Sequence, residues 1–273
     1  MLPPDKLNEQ QAALAFNRQA IHFDELYNGN TIIQFKRERV REHVKTFLPT
    51  KASILELNAG TGEDAIWFAS QGHRVHATDI AAGMQEMLRQ KVKLAGLQGK
   101  VTTELRSFTE LEQLECMGPF DFIFSNFAGL NCTGELDKVL SSFSLLLKPG
   151  GFVTLVILPK FCLWESLLLL RGKLKTATRR FFSGDGRRAR VEGEYFKCWY
   201  YNPSYIVKQL KQEFEVLSLE GLCTFVPPSY IEGFAEKHPR LYHTLSKLEE
   251  RFKNSWPWRS IGDYYIITLR KKS

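Results

Sequence analysis

Residues 54–64 read Ile54-Leu55-Glu56-Leu57-Asn58-Ala59-Gly60-Thr61-Gly62-Glu63-Asp64. A short apolar strand runs into a turn carrying two glycines, and the turn runs into a helix. Gly60 and Gly62 lack Cβ, so a ligand can approach the backbone closely there. The helix that follows offers free N–H groups to polar ligand atoms. Asp79 lies 17 residues after Gly62 and closes a second short strand. A carboxylate at that place accepts hydrogen bonds from ribose hydroxyls. Two ligand classes fit so far, because Gly60 through Ala65 also satisfies the loose dinucleotide pattern GxGxxA. Glu56 shifts the balance. An acid at the end of the first strand repels a pyrophosphate but suits a ligand with a cationic amino-acid end, such as S-adenosylmethionine (SAM).

Working outward from this turn, short apolar strands alternate with helices. Strands are expected at 53–57, 74–77, 101–105, 120–124 and 152–158, with helices at 63–70, 81–94 and 136–147. Alternation with helices this short indicates a mostly parallel sheet covered on both faces. Upstream, residues 8–48 read as two helices separated by Tyr27-Asn28-Gly29-Asn30, since Asn and Gly tolerate left-handed dihedrals. Downstream the pattern loosens. Phe161–Leu170 reads as an apolar helix and Glu194–Tyr201 as an edge strand. Residues 204–212 read as a helix, 214–219 as a strand, 230–252 as a helical stretch broken near Pro239, and 263–269 as a closing strand.

The chain has 273 residues, 44% hydrophobic and 25% charged. These values exclude a disordered, collagen-like or coiled-coil chain and leave room for one sizeable core. Five cysteines, at 116, 132, 162, 198 and 223, form no CxxC pair, and the six histidines form no HExxH-like ligand set. The expectation is reduced thiols in a cytoplasmic protein with no metal. The N-terminus lacks the basic and apolar regions of a signal peptide, and no apolar run is long enough to span a membrane.

Taken together, four features resemble the class I SAM-dependent methyltransferases: the Glu56…Gly60-Thr61-Gly62 turn, Asp79-Ile80, the strand Phe120-Asp121-Phe122-Ile123-Phe124, and Leu147-Lys148-Pro149-Gly150-Gly151. The resemblance is close over residues 50–158 and looser elsewhere. It implies an α/β fold with a seven-stranded, mainly parallel Rossmann-like sheet. It implies an N-terminal helical lid (1–49) and a SAM-binding domain (50–273) with cap insertions at about 159–203 and 224–261. It also implies a ligand shell. Glu56, Asn58, Ala59, Gly60 and Gly62 would line the methionine part, Asp79 would hold the ribose and Ile80 would lie beside the adenine. Ser107 and Phe108 would contact the adenine, Ser125 and Asn126 would sit by the methyl-transfer site, and Tyr27 would close over SAM. The family usually has glycine where this chain has Asn58. Asn is the best non-glycine residue for positive φ, and a side chain pointing at the ligand would narrow the pocket.

The loop after the fourth strand, Ser125-Asn126-Phe127-Ala128-Gly129-Leu130-Asn131-Cys132, has neither the Pro-Pro of amino-methylating nucleic-acid enzymes nor a Pro-Cys nucleophile. The reading is therefore methyl transfer to O, N or C of a small-molecule or lipid-like acceptor, anionic or hydrophobic, leaving S-adenosylhomocysteine (SAH). Nucleic acid is disfavoured as a partner. Methyl transfer from a sulfonium needs alignment and water exclusion more than a fixed catalytic set. His22 and Tyr200 are the candidates for a proton-handling role. Trp164, Arg179, Arg180 and Tyr200 are candidates for acceptor contacts. Residues 171–190 hold eight basic side chains and one acid, which leaves the rest of the chain formally neutral within a total of +7. A basic run after an apolar helix suggests an anionic acceptor or a peripheral membrane contact through 161–190. The alternatives are an RNA-binding methyltransferase that uses 171–190, and a non-catalytic SAM-binding protein.

Overall fold

Strand β1 (Ser53–Leu57) is central. It pairs in parallel with β2 (Arg74–Asp79) on one side and β4 (Phe120–Ser125) on the other. Its side chains alternate between two buried layers, as a strand covered on both faces requires. Ile54 joins Phe122 and Phe124 beneath Val40, Val44, Phe68 and Leu88. Leu55 and Leu57 join Ile123, Leu140, Phe143 and Ile206 on the opposite face.

The computed structural model describes residues 3–273 except 168, 170, 171, 173, 175–177 and 182. The main sheet has seven strands in the order β3-β2-β1-β4-β5-β9-β8, with β3 at Val101–Leu105, β5 at Leu147–Ile157, β8 at Phe214–Leu222 and β9 at Tyr264–Lys271. Strands β3 through β5 are parallel, and β9 runs antiparallel to both of its neighbours. Helices α3 (Thr31–Phe47), α4 (Glu63–Ser70) and α5 (Ala82–Leu94) cover one face. Helices α6 (Leu136–Ser141), α7 (Phe143–Leu146) and α9 (Pro203–Leu210) cover the other. The seven-stranded α/β sheet expected from the sequence is the one observed.

Before the sheet come α1 (Pro4–Gln19) and α2 (Phe23–Asn28), one helix more than the sequence suggests. The Asn30 side chain accepts from the N–H groups of Ile32 (3.0 Å) and Ile33 (3.1 Å) and so starts α3. After β5 a short helix α8 (Leu163–Leu167) leads to β6 (Arg187–Val191) and β7 (Glu194–Cys198). The expected edge strand at 194–201 is corrected here. It is not part of the main sheet but half of a separate hairpin, β6–β7. The reason is its apolar side: Ala189, Val191, Phe196 and Cys198 pack on Ala12, Ala15 and Phe16 of α1 rather than on the sheet. Helices α10 (Phe234–Lys237) and α11 (Pro239–Phe252) fill the connection from β8 to β9. All five cysteines are free thiols. Among the described residues no helix is long and apolar enough to cross a membrane.

Candidate functional site

The sheet order reverses at β1, which has β2 and β3 on one side and β4 and β5 on the other. Loops leaving the carboxyl ends of such strands diverge and open a crevice. A cavity lies there, lined by Glu56, Asn58, Ala59, Gly60, Thr61, Asp79, Ile80, Ser107, Phe108, Asn126 and Phe127 of the sheet loops. Glu9, Ala12, Phe16, Phe23 and Arg37 line it from the N-terminal helices.

The turn after β1 is built for close approach. Gly60 has φ +57° and open space where a Cβ would stand, so its need is conformational freedom. Gly62 has φ +84°, and a Cβ there would lie 2.5 Å from Leu88 Cγ, so this glycine lets α4 pack on α5. Asp79 ties the turn to β2. Its Oδ2 accepts from Gly60 N (2.9 Å) and its Oδ1 from Ala81 N (2.8 Å). Burial pushes the Asp79 carboxyl up from its ordinary value, and these backbone donors oppose the push.

Glu56 is 3% exposed, and its Oε2 has no hydrogen-bond partner. Burial, with Asp64 close by, raises its carboxyl well above the usual carboxylate range, while Arg37 pulls the other way. Arg37 lies 3.5 Å from Asp64, which also accepts from Arg41 (3.3 Å) and from the Asn126 amide (2.7 Å). One wall of the cavity thus presents an unpartnered buried acid beside a buried guanidinium. Helix α2 is fastened over the turn through Asp24, which accepts from Thr61 Oγ1 (2.7 Å) and Lys91 Nζ (2.8 Å).

Asn58 takes φ +47°, as its place in the turn demands. Its side chain is committed to protein partners. Its amide donates to Asn126 O (2.9 Å), and its Oδ1 accepts from Ser125 Oγ (2.6 Å). It rests on Gly129, where a Cβ would come within 2.1 Å of Asn58 Cγ. Asn58 therefore joins the β1 turn to the β4 loop, and Gly129 is the residue that makes room for it.

Of the residues singled out from sequence, Glu56, Asn58, Ala59, Gly60, Asp79, Ile80, Ser107, Phe108 and Asn126 line this cavity. Gly62, Ser125 and Tyr27 do not. Tyr27 packs at a tilt against Phe23 (ring centroids 4.6 Å apart), and Phe23 is the ring that reaches the wall. His22 is exposed beside Glu25 (3.5 Å). Tyr200 is buried beneath the Arg180 guanidinium, 5.2 Å from its ring centroid. Trp164 stacks edge-on against Phe234. None of these three lines the cavity.

The basic run needs correction as well. Arg180 is 2% exposed and bonds Glu165 (2.6 Å) and Asp263 (2.8 Å), and Arg179 also bonds Glu165. Arg180 is spent inside the fold, while Arg179 pairs with Glu165 from the surface, its side chain 44% exposed. Cys162, Glu165 and Asp263 lie within metal-ligand reach of one another, but Arg180 already occupies both carboxylates. Arg171, Lys173 and Lys175 lie outside the described residues.

Residues missing from the sequence-level shell are Glu9, Phe16, Phe23, Arg37 and Phe127. The first four lie on helices remote in sequence from the glycine turn, where no motif marks them. Phe127 directly follows Asn126, and its position after β4 was the available signal.

Residues 54–151 match the family model described as a methyltransferase domain. That stretch, which holds the glycine turn, Asp79 and the loop after β4, is thus similar to a methyltransferase domain. The chain is 23% identical over 233 residues to the tRNA 5-carboxymethoxyuridine methyltransferase of Escherichia coli (strain K12), covering 82% of this chain and 81% of the relative. Its fold is shared by the 1,6-didemethyltoxoflavin-N1-methyltransferase of Burkholderia thailandensis (TM-score 0.58, 15% identity, 100% of this chain and 92% of that one). The [4+2]-cyclase SpnF also shares it (TM-score 0.54, 17% identity, 86% and 81%). The cavity fits the family's cofactor on its own terms. Glu56 is an orphaned acceptor of the kind an ammonium satisfies, and Gly60 leaves open space at the turn.

Proposed function

We propose that the enzyme transfers the methyl group of SAM to a small, apolar or planar acceptor enclosed beneath α1 and α2, which act as a lid. The observation that carries this is the pairing of unpartnered Glu56 with Arg37 on one wall, one acid and one cation for a zwitterionic amino-acid end. When bound, SAM supplies a methyl already activated by its sulfonium. Glu56 would accept from the ammonium, with Arg37 near the carboxylate. Asp79 would accept from ribose hydroxyls through lone pairs not used by Gly60 and Ala81. Ile80, Ser107 and Phe108 would flank the base. Asn126 and Phe127, at the end of β4, would orient the acceptor, and the N-terminal helices would exclude water. Phe16, Phe127, Gly129 and Cys132 give the cavity walls an apolar character that suits such an acceptor. Incubation with labelled SAM and a metabolite extract, followed by mass spectrometry, tests this directly. A labelled small molecule supports the reading, and labelling confined to RNA refutes the small-molecule assignment.

A second reading, an RNA acceptor, is favoured by one surface. The β6–β7 register sets Arg188 opposite Lys197 and Arg190 opposite Tyr195, all on the outward face. Arg188 lies 3.6 Å from the Tyr195 ring centroid. Among the described residues these three cations make no ion pair. Cations interleaved with an aromatic ring suit single-stranded RNA, and the E. coli relative is named for a tRNA nucleoside. RNA binding by this face should fall steeply with salt, and a flat response removes this reading.

A further inference from the structure

Glu9 is a charged side chain without an evident duty. It sits mid-helix on α1, 6% exposed, and reaches across to the loop after β3. Its Oε2 accepts from Ser107 Oγ (2.8 Å) and Thr109 Oγ1 (3.1 Å). Its Oε1 is buried and has no partner, and the residue lines the cavity. A buried acceptor left unmatched is costly, and such groups in folded proteins ordinarily have a partner. Burial raises its carboxyl above the ordinary value, and the two hydroxyl donors oppose this.

The geometry points to a specific partner. We infer that Glu9 Oε1 receives the exocyclic amine of the adenine ring of SAM and so makes the lid helix part of cofactor selection. This rests on the SAM reading above. Strands β1, β2 and β3 are consecutive in the sheet. A ligand laid across their carboxyl ends has its amino-acid end at Glu56, its ribose at Asp79 and its base at Ser107-Phe108. Glu9 is bonded to Ser107 itself, so it stands at the base. In adenine linked to ribose through N9, the free ring nitrogens N1, N3 and N7 are acceptors, and the exocyclic amine is the only N–H donor. An ionised carboxylate offers only acceptors. The amine is therefore the one polar group of the base that Glu9 can satisfy. The helix carrying it is held in place next door. The Asn8 amide donates to Cys132 O (2.8 Å) and Lys197 O (3.2 Å), and Asn8 Oδ1 accepts from Lys197 N (2.5 Å). Farther along α1, Asn17 accepts from Gly83 N (2.7 Å).

The test compares calorimetric affinity for SAH with that for its 6-deamino analogue, in which hydrogen replaces the amine. The wild-type protein should prefer SAH by about 10- to 150-fold, the range of one hydrogen bond to a charged group. In Glu9→Ala the preference should shrink to within about 3-fold, mostly by loss of SAH affinity. In Glu9→Gln, which keeps an acceptor oxygen and the side-chain shape, an intermediate preference should return. The preference is a ratio within each variant, so a general loss of stability cancels. A wild-type preference that survives unchanged in both variants overturns the role of Glu9 while leaving SAM binding intact. Absence of SAH binding to the wild type overturns the SAM reading, and this proposal with it.

Discussion

Replacing Glu56 with Gln should move ligand affinity and protein stability in opposite directions. In the ligand-free protein this carboxylate is 3% exposed, has an unpartnered Oε2, and is raised by burial and by Asp64. An unsatisfied buried polar group costs about 1–3 kcal/mol, and more when charged. Gln keeps the shape and removes the charge. The ligand-free variant should therefore be as stable as wild type, or more stable by about 1 kcal/mol, an upward Tm shift of about 2–4 °C. SAH binding loses a charge-assisted hydrogen bond worth about 1.5–3 kcal/mol, about 10- to 150-fold in Kd. The pH dependence follows from the same direction. A carboxyl whose folded value is raised contributes stability that is complete below its unfolded value and is lost as pH rises through the raised one. The ammonium of SAH favours the ionised form. Affinity should then climb with pH above the ordinary carboxylate range and level off once Glu56 is ionised, while Glu56→Gln lacks that component. Calorimetry across pH with parallel thermal denaturation reads both arms. Wild-type affinity and pH profile in the variant, or a Tm several degrees lower, would refute the assignment of Glu56 as an acid kept for a cationic ligand.

Three further outcomes are expected. Gly129→Ala should cost about 1–3 kcal/mol by overpacking against Asn58. The same change in an Asn58→Gly background should cost well under about 1 kcal/mol, so a double-mutant cycle in urea should show strong coupling, and additive effects would deny the contact. Glu165→Ala leaves Arg180 and Arg179 without their shared carboxylate, and breaking such a buried pair costs about 3–5 kcal/mol by chemical denaturation. A loss under about 1 kcal/mol would mean these arginines are not structural. Asp79→Ala removes the acceptor for Gly60 N and Ala81 N and should weaken SAH binding by at least about 10-fold, with unchanged affinity in titration counting against a ribose role.

The strands around the glycine turn were legible because each is a short apolar run bounded by turn residues, a local signal. Much of the cavity wall was legible for the same reason, since Glu56 and Asp79 lie at the carboxyl ends of strands, Gly60 and Asn126 lie in the turns that follow strands, and the parallel order brings those ends together. The hairpin was misread as an edge strand because alternation reveals that one face is packed but not what packs on it. Here the partner is α1, far away in sequence.

By itself the sequence determined the α/β class, the position of the crevice and the acid-rich turn within it, because these depend on period, spacing and the special dihedrals of glycine. Only the tertiary structure decided which charges are free. Composition placed the whole +7 in residues 171–190, yet Arg180 turns inward to Glu165 and Asp263 and Arg179 pairs with Glu165, whereas Arg188 and Arg190 face outward. It also brought Glu9 to the end of β3 and Arg37 beside Glu56. The physical reason is range. A hydrogen bond or ion pair is set by a few ångströms between side chains, and chain position fixes that distance only within a strand, a turn or a helix.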